Sequence, residues 1–101
     1  VTDIPETLDE KDLAQAKLEA LEFPLGLYKH YKGPEYWAIA VSIDEETLKP
    51  VVLYESILHG TLWTRTMANF TELVVLDSGE TKPRFEHIVH VVKDAKEVRR
   101  N

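Results

Sequence analysis

Cysteine is absent from this sequence, which excludes disulfide frameworks, thiolate catalysis and cysteine-bound zinc. No apolar run approaches the roughly 20 residues that a membrane helix needs. No signal-peptide pattern stands at the first residues, so cytoplasm is the expected compartment. Positive charge is scarce, with 12 Lys and Arg against 18 Asp and Glu and a net charge of −6. A field of that sign opposes the attraction by which many proteins gather nucleic-acid phosphates. There is no glycine-rich phosphate loop, and Ser42, Ser56 and Ser78 lie in no strand-turn-helix elbow that would expose a nucleophile.

The histidines carry no recognisable metal spacing. His87 and His90 are three apart in a predicted strand and point to opposite faces, whereas His30 and His59, far apart in sequence, are left open as a folded pair. No metal or other cofactor is expected.

What remains is a globular composition, 44% apolar and 30% charged, in 101 residues, enough for one core. The acidity is uneven. Residues 1–22 hold seven acids and two bases, residues 23–91 nine and six, and residues 92–101 two and four. The sequence divides accordingly into an acidic amphipathic helix and linker (1–25), a small β-barrel domain (26–92) and a basic tail (93–101).

Thr7-Leu8-Asp9-Glu10 fits a capping box, in which threonine and glutamate side chains satisfy free amides at a helix start. The helix should run from about Leu8 to Glu22, with Leu13, Ala14, Leu18 and Leu21 in one stripe packed on a sheet and Lys17 intruding. Each buried leucine would contribute roughly 1.5–3 kcal/mol. The alternative for residues 8–22 is a helix that docks a protein partner. Pro24 ends it, because proline disfavours helical geometry in the residue before it.

Beyond Pro24 the period becomes two. The first strand lies in Gly26-Leu27-Tyr28-Lys29-His30-Tyr31-Lys32-Gly33, with Leu27 and Tyr31 expected on the packed side. Tyr28, His30 and Lys32 would then face solvent or line a polar groove. Tyr36 to Ile43 follows, with Trp37, Ile39, Val41 and Ile43 as the expected core face and Ala38, Ala40 and Ser42 opposite. Val51 to Ile57, Thr61 to Arg65, Glu72 to Leu76 and Arg84 to Val92 read as further strands, and Thr66 to Phe70 as a single helical turn. Five to six short strands at this spacing predict a mainly β fold, a small SH3-like β-barrel with an N-terminal α-helix.

Aromatic and basic residues supply the candidate site. Tyr28, His30, Lys32, Tyr54, Trp63, Arg65 and Arg84 combine flat faces for stacking with charges suited to phosphate or carboxylate. One base stacked on an aromatic ring is worth roughly 1–3 kcal/mol. The bland alternatives are core filling for the aromatics and cross-strand pairing of Arg65 or Arg84 with Glu55, Glu72 or Glu86.

The same residues carry a family resemblance. G-x-Y-x-H-Y-K-G at 26–33, Tyr36, Val52-Leu53-Tyr54, Leu62-Trp63-Thr64-Arg65, Phe70 and Pro83-Arg84-Phe85 resemble, in order, the pattern of the domain of unknown function 1653 family of small bacterial proteins. The resemblance covers residues 26–88. It implies a compact β-rich domain, no assigned activity, and a signature of Tyr28, His30, Tyr31, Lys32, Tyr36, Tyr54, Trp63, Arg65, Arg84 and Phe85. The sequence departs from that pattern at Thr66, where the family usually has proline, and at Asn69.

The expected function is a small binding module for an anionic or aromatic ligand such as a nucleotide or nucleic acid. The alternatives are a small enzyme using His30 as acid or base beside Glu35 or Glu55, and a protein-interaction module docking through residues 8–22.

Overall fold

The computed structural model of the chain describes residues 6–88, with side chains from residue 10 onward. The expected basic tail, and His90 with it, lie outside the described residues. Helix α1 (Glu6–Glu22) precedes four strands, β1 (Gly26–His30), β2 (Glu35–Ile43), β3 (Pro50–Ser56) and β4 (Leu62–Thr66). The single turn α2 (Met67–Phe70) then leads to β5 (Leu73–Val75), β6 (Thr81–Pro83) and β7 (Phe85–His87). The fold is mainly β, as the strand spacing predicts.

The strands form two antiparallel sheets, one of five strands in the order β4-β3-β2-β1-β7 and one hairpin of β5 and β6. Among the described residues no closed barrel is formed, because β4 and β7 are the two free edges of the larger sheet. Of the β5–β6 hairpin, β5 lies within the expected Glu72–Leu76 strand, whereas β6 was not foreseen. The hairpin takes part of the segment between α2 and Arg84, and β7 begins only at Phe85.

Side-chain direction is the main departure from the sequence expectation. Tyr28 is only 4% exposed, and its partner across the ladder is Tyr36, so β1 turns Gly26, Tyr28 and His30 inward and Leu27 and Lys29 outward. On β2 the inward residues are Tyr36 and Ala38 up to a bulge at Ile39, and Val41 after it. The bulge sets two β2 steps, Ala38 to Ala40, against one β3 step, Tyr54 to Leu53, and so reverses which residues face the core. Trp37, Ile39, Val41 and Ile43 therefore do not share one face, and Trp37 is exposed on the outer side. Residues directly opposite in the ladder share a face, which places Val52, Tyr54 and Ser56 of β3 inward with Val41, Ala38 and Tyr36.

The core is aromatic. Phe70 and Phe85 stack with ring centroids 4.1 Å apart, and Tyr28 and Tyr54 meet Phe70 edge-on at 5.0 and 5.4 Å. Phe23, just past α1, lies on Tyr28 and meets the edge of Phe70. Ala38 is buried among these elements because only a small side chain leaves room for the rings above the sheet.

Helix α1 also packs differently from its leucine pattern. The helix starts at Glu6, ahead of Thr7, so the T-x-x-E segment falls within it. Ala16 is its buried residue, with Leu13 and Ala20 half-buried, while Leu18 is exposed and Leu21 is 84% exposed. The small residues Ala16 and Ala20, with Leu13 beside them at the same helical spacing, let the helix approach the β2–β3 end at Leu48 and Pro50. Of the leucine stripe, Leu18 and Leu21 are left on the outside.

Candidate functional site

Alternation along the strands sends five side chains, together with Trp63, to one cavity on the inner face of the five-stranded sheet. His30 comes from the end of β1, Tyr36 from β2, Tyr54 from β3, Trp63 and Arg65 from β4, and Phe85 from β7. Every strand of the sheet contributes to this space of about 190 Å³. A groove of about 440 Å³ between α1 and α2 is larger, but Glu19 and Lys49 are its only charged lining residues and it has no aromatic wall.

Arg65 is held from two sides. Its Nε–H donates to the Tyr54 hydroxyl at 3.1 Å and its Nη1 to Asn69 Oδ1, while the guanidinium lies 5.5 Å from the centre of the Phe85 ring. Asn69 in turn donates from Nδ2 to Glu72 Oε1 at 3.2 Å, and its carbonyl accepts from Arg84 Nε at 3.2 Å. Asn69 reaches these groups because α2 starts on a side-chain cap, the Asn69 N–H donating to Thr66 Oγ1 at 3.2 Å. Thr66 thus supplies the acceptor for the α2 turn, a role that a proline could not fill.

Arg84 is used otherwise. Its Nη2 pairs with Glu72 Oε1 at 2.7 Å, the only ion pair among the described residues. Arg65 has no carboxylate partner there. The cross-strand pairing anticipated as an alternative therefore applies to Arg84 and not to Arg65.

His30 closes the opposite side of the cavity. The turn at Tyr31-Lys32-Gly33, with Gly33 at φ 115°, folds the Lys32 amide back so that it donates to His30 Nδ1 at 3.1 Å. A neutral ring with Nδ1 accepting carries its proton on Nε2. Burial first, and then the positive charges of Arg65, Lys32 and Arg84, hold His30 below its ordinary value of 6.5. Its ring packs edge-on to Phe85 at 4.9 Å and against Tyr31 at 4.5 Å.

Of the seven residues singled out from the sequence, His30, Tyr54, Trp63 and Arg65 meet in the cavity. Lys32 is exposed at its margin, with its ammonium 5.8 Å from the Tyr31 ring centre. Tyr28 lies beneath the cavity in the core. Its hydroxyl donates to the Pro24 carbonyl at 2.6 Å, and burial pushes its pKa up to about 12. Tyr36, Phe85 and Asn69 complete the arrangement. The first two stood in the family signature, whereas Asn69, four residues after Arg65 across a capped turn, showed itself only as a departure from it.

The acid–base alternative loses its geometry. Glu35 pairs with Lys29 and Glu55 with Trp37 in the ladder, so both stand on the outer face, away from His30. His59 is exposed in the β3–β4 turn, and His87 lies against Tyr28 with Nε2 3.3 Å from the Leu25 carbonyl. No group of three or more His, Cys, Asp or Glu that would hold a metal occurs among the described residues, and no described helix is long and apolar enough to cross a membrane.

Helix, open antiparallel sheet and aromatic core define a small, mainly β domain. The chain belongs to the DUF1653 family. A family model described as a protein of unknown function (DUF1653) matches residues 26–87. The chain is also similar to a crystal structure of a DUF1653 protein from Bordetella bronchiseptica, with 30% identity and a TM-score of 0.61 over 68% of this chain and 91% of that one. No curated protein matches. The matched segment begins with β1 and ends with β7, so α1 lies outside it.

Proposed function

We propose that the chain is a ligand-binding module of SH3-like build, whose site is the cavity between His30, Tyr54, Trp63 and Arg65. The observation that carries this reading is the polarity of the lining. The Arg65 guanidinium, His30 Nε2–H, the Tyr36 and Tyr54 hydroxyls and the Trp63 indole N–H are all donors, and no carboxylate lines the space. A wall of donors beside flat rings suits an anionic or acceptor-rich ligand with a planar group, of which a nucleotide is one class. Trp63, which lines the cavity and is 50% exposed, is the stacking surface in this reading.

Tryptophan fluorescence in a Trp37→Phe background isolates Trp63, because Trp37 stands on the outer face. Titration with mononucleotides, short oligonucleotides and small aromatic acids should change this signal saturably, and Arg65→Met should abolish the change. A flat signal for every compound at millimolar concentration would refute the reading.

A second reading concerns α1. Leu18, Leu21 and Leu25 are exposed, which favours the docking of a protein partner on the helix. Loss of a bound partner on removal of residues 1–22, with the sheet still folded, is the expected result; retention would exclude it.

A further inference from the structure

The proposed pocket can be assigned a ligand class more narrowly than its donors alone allow, and this step rests on the reading above. We infer that the cavity accepts a small molecule with one planar ring and a single carboxylate. Charge, size and donor geometry each support this assignment.

The local charge is close to that of one cation. Arg65 has no carboxylate partner among the described residues and is the one cation that lines the cavity, Arg84 is compensated by Glu72, and the exposed Lys32 carries its ammonium on the Tyr31 ring outside the lining. His30, flanked by these three cations and by the rings of Tyr31, Tyr36 and Phe85, is held toward its neutral form. One fixed positive charge matches a monoanion, whereas a phosphate monoester carries about −1.5 to −2 near neutral pH. Seating that charge calls for a second positive charge, from a protonated His30 or from Lys32.

Size excludes most larger ligands. Pockets for drug-sized molecules span roughly 300–1,000 Å³, and this one offers about 190 Å³. It encloses one ring with its charged group, and a whole nucleotide would extend out of it. A polymer would also need an extended basic track, which a chain of net charge −6 with Arg84 already paired does not present.

The donors are already oriented. Tyr54 and Asn69 occupy Arg65 Nε–H and one Nη1–H. Among the described residues no acceptor meets Nη2, so the outer edge of the guanidinium can grip both oxygens of a carboxylate. His30, whose Nδ1 is taken by the Lys32 amide, lines the same space with Nε2–H as its neutral donor, and Tyr36, Phe85 and Trp63 wall the ring.

The test is an NMR titration of the full chain with benzoate, phenyl phosphate and benzamide, following the Trp63 indole N–H and the His30 imidazole. Benzoate should shift both saturably, with an affinity that changes less than about twofold between pH 7 and 8. Benzamide should bind at least about tenfold more weakly, since a hydrogen bond to a charged group is worth about 1.5–3 kcal/mol and 1.4 kcal/mol is tenfold. Arg65→Met should lose benzoate by about the same factor. Trp63→Ala, a change at a half-exposed side chain, gives a second variant in which the fold is undisturbed and binding still falls.

Tighter binding of phenyl phosphate than of benzoate, with proton uptake at His30, would overturn the monocarboxylate assignment and leave the pocket standing. Equal binding of benzamide and benzoate would overturn it too, because charge would not be read. Silence with all three compounds would remove the pocket reading itself.

Discussion

Replacing Tyr54 with phenylalanine separates the polar support of the pocket from its aromatic floor. The ring of Tyr54 is buried, and its edge contacts to Phe70, Phe85 and Tyr36, with centroids 5.4 Å apart in each case, do not involve the hydroxyl. The substitution therefore keeps the packing and removes one acceptor, the oxygen that takes the Arg65 Nε–H at 3.1 Å. A hydrogen bond to a charged group contributes about 1.5–3 kcal/mol when both partners are shielded. Arg65 is only half-buried and lines an open cavity, so water replaces part of the lost contact and the expected loss is about 1 kcal/mol. For a domain of this size that corresponds to roughly 4–8 °C in Tm. Urea unfolding should show a lower midpoint with an unchanged slope, since the exposed area is the same. Benzoate affinity should fall as well, because the guanidinium loses one of its two anchors. Unchanged stability and affinity would refute the argument that Tyr54 positions Arg65. A loss above about 3 kcal/mol would show that the hydroxyl supports the fold in a way that this contact does not explain.

Phe70→Ala should be far more damaging. Phe70 is fully buried against Phe85, Phe23, Tyr28 and Tyr54, and truncation of such a residue costs about 3–5 kcal/mol, a large part of the roughly 5–15 kcal/mol that holds a domain together; chemical denaturation measures it. Glu72→Gln should cost no more than about 1 kcal/mol, because the Arg84–Glu72 pair is partly exposed on the glutamate side. For His30, the folded pKa lies below the unfolded value, so the unfolded chain binds more protons. Its contribution to stability is present above pH 6.5 and is lost as pH falls below that value toward the folded pKa; His30→Gln should remove this part of the pH dependence in urea melts.

The family motif and the succession of strands were legible because turn residues and period-two segments are local signals. Four of the pocket residues, His30, Tyr54, Trp63 and Arg65, were also legible, since their chemistry is conspicuous in an acidic chain. Which face of each strand points inward was not. In β1 both faces carry an apolar residue, and what sends Tyr28 inward is its place among Phe23, Phe70 and Tyr36, which come from three other parts of the chain. In β2 the bulge at Ile39 breaks the period that the sequence pattern assumes, and nothing in Trp37-Ala38-Ile39-Ala40 announces it.

The helix shows the same limit. A leucine stripe satisfies the helical period, yet only Leu13 of its leucines packs, beside Ala16 and Ala20, because close approach to the β2–β3 end favours small side chains. Asn69 was missed as a site residue for a related reason. Its role depends on a capped turn that brings one amide between Arg65, Glu72 and Arg84, and such a meeting has no sequence period.

The most direct test of the account is a crystal structure of the chain soaked with a panel of small aromatic acids and mononucleotides. The account predicts density for a ring between Trp63 and Phe85, with anionic oxygens at Arg65 and within hydrogen-bonding distance of His30 Nε2. Ligand density confined to the groove between α1 and α2, or to the outer face around Trp37, with the His30–Arg65 cavity empty, would contradict it.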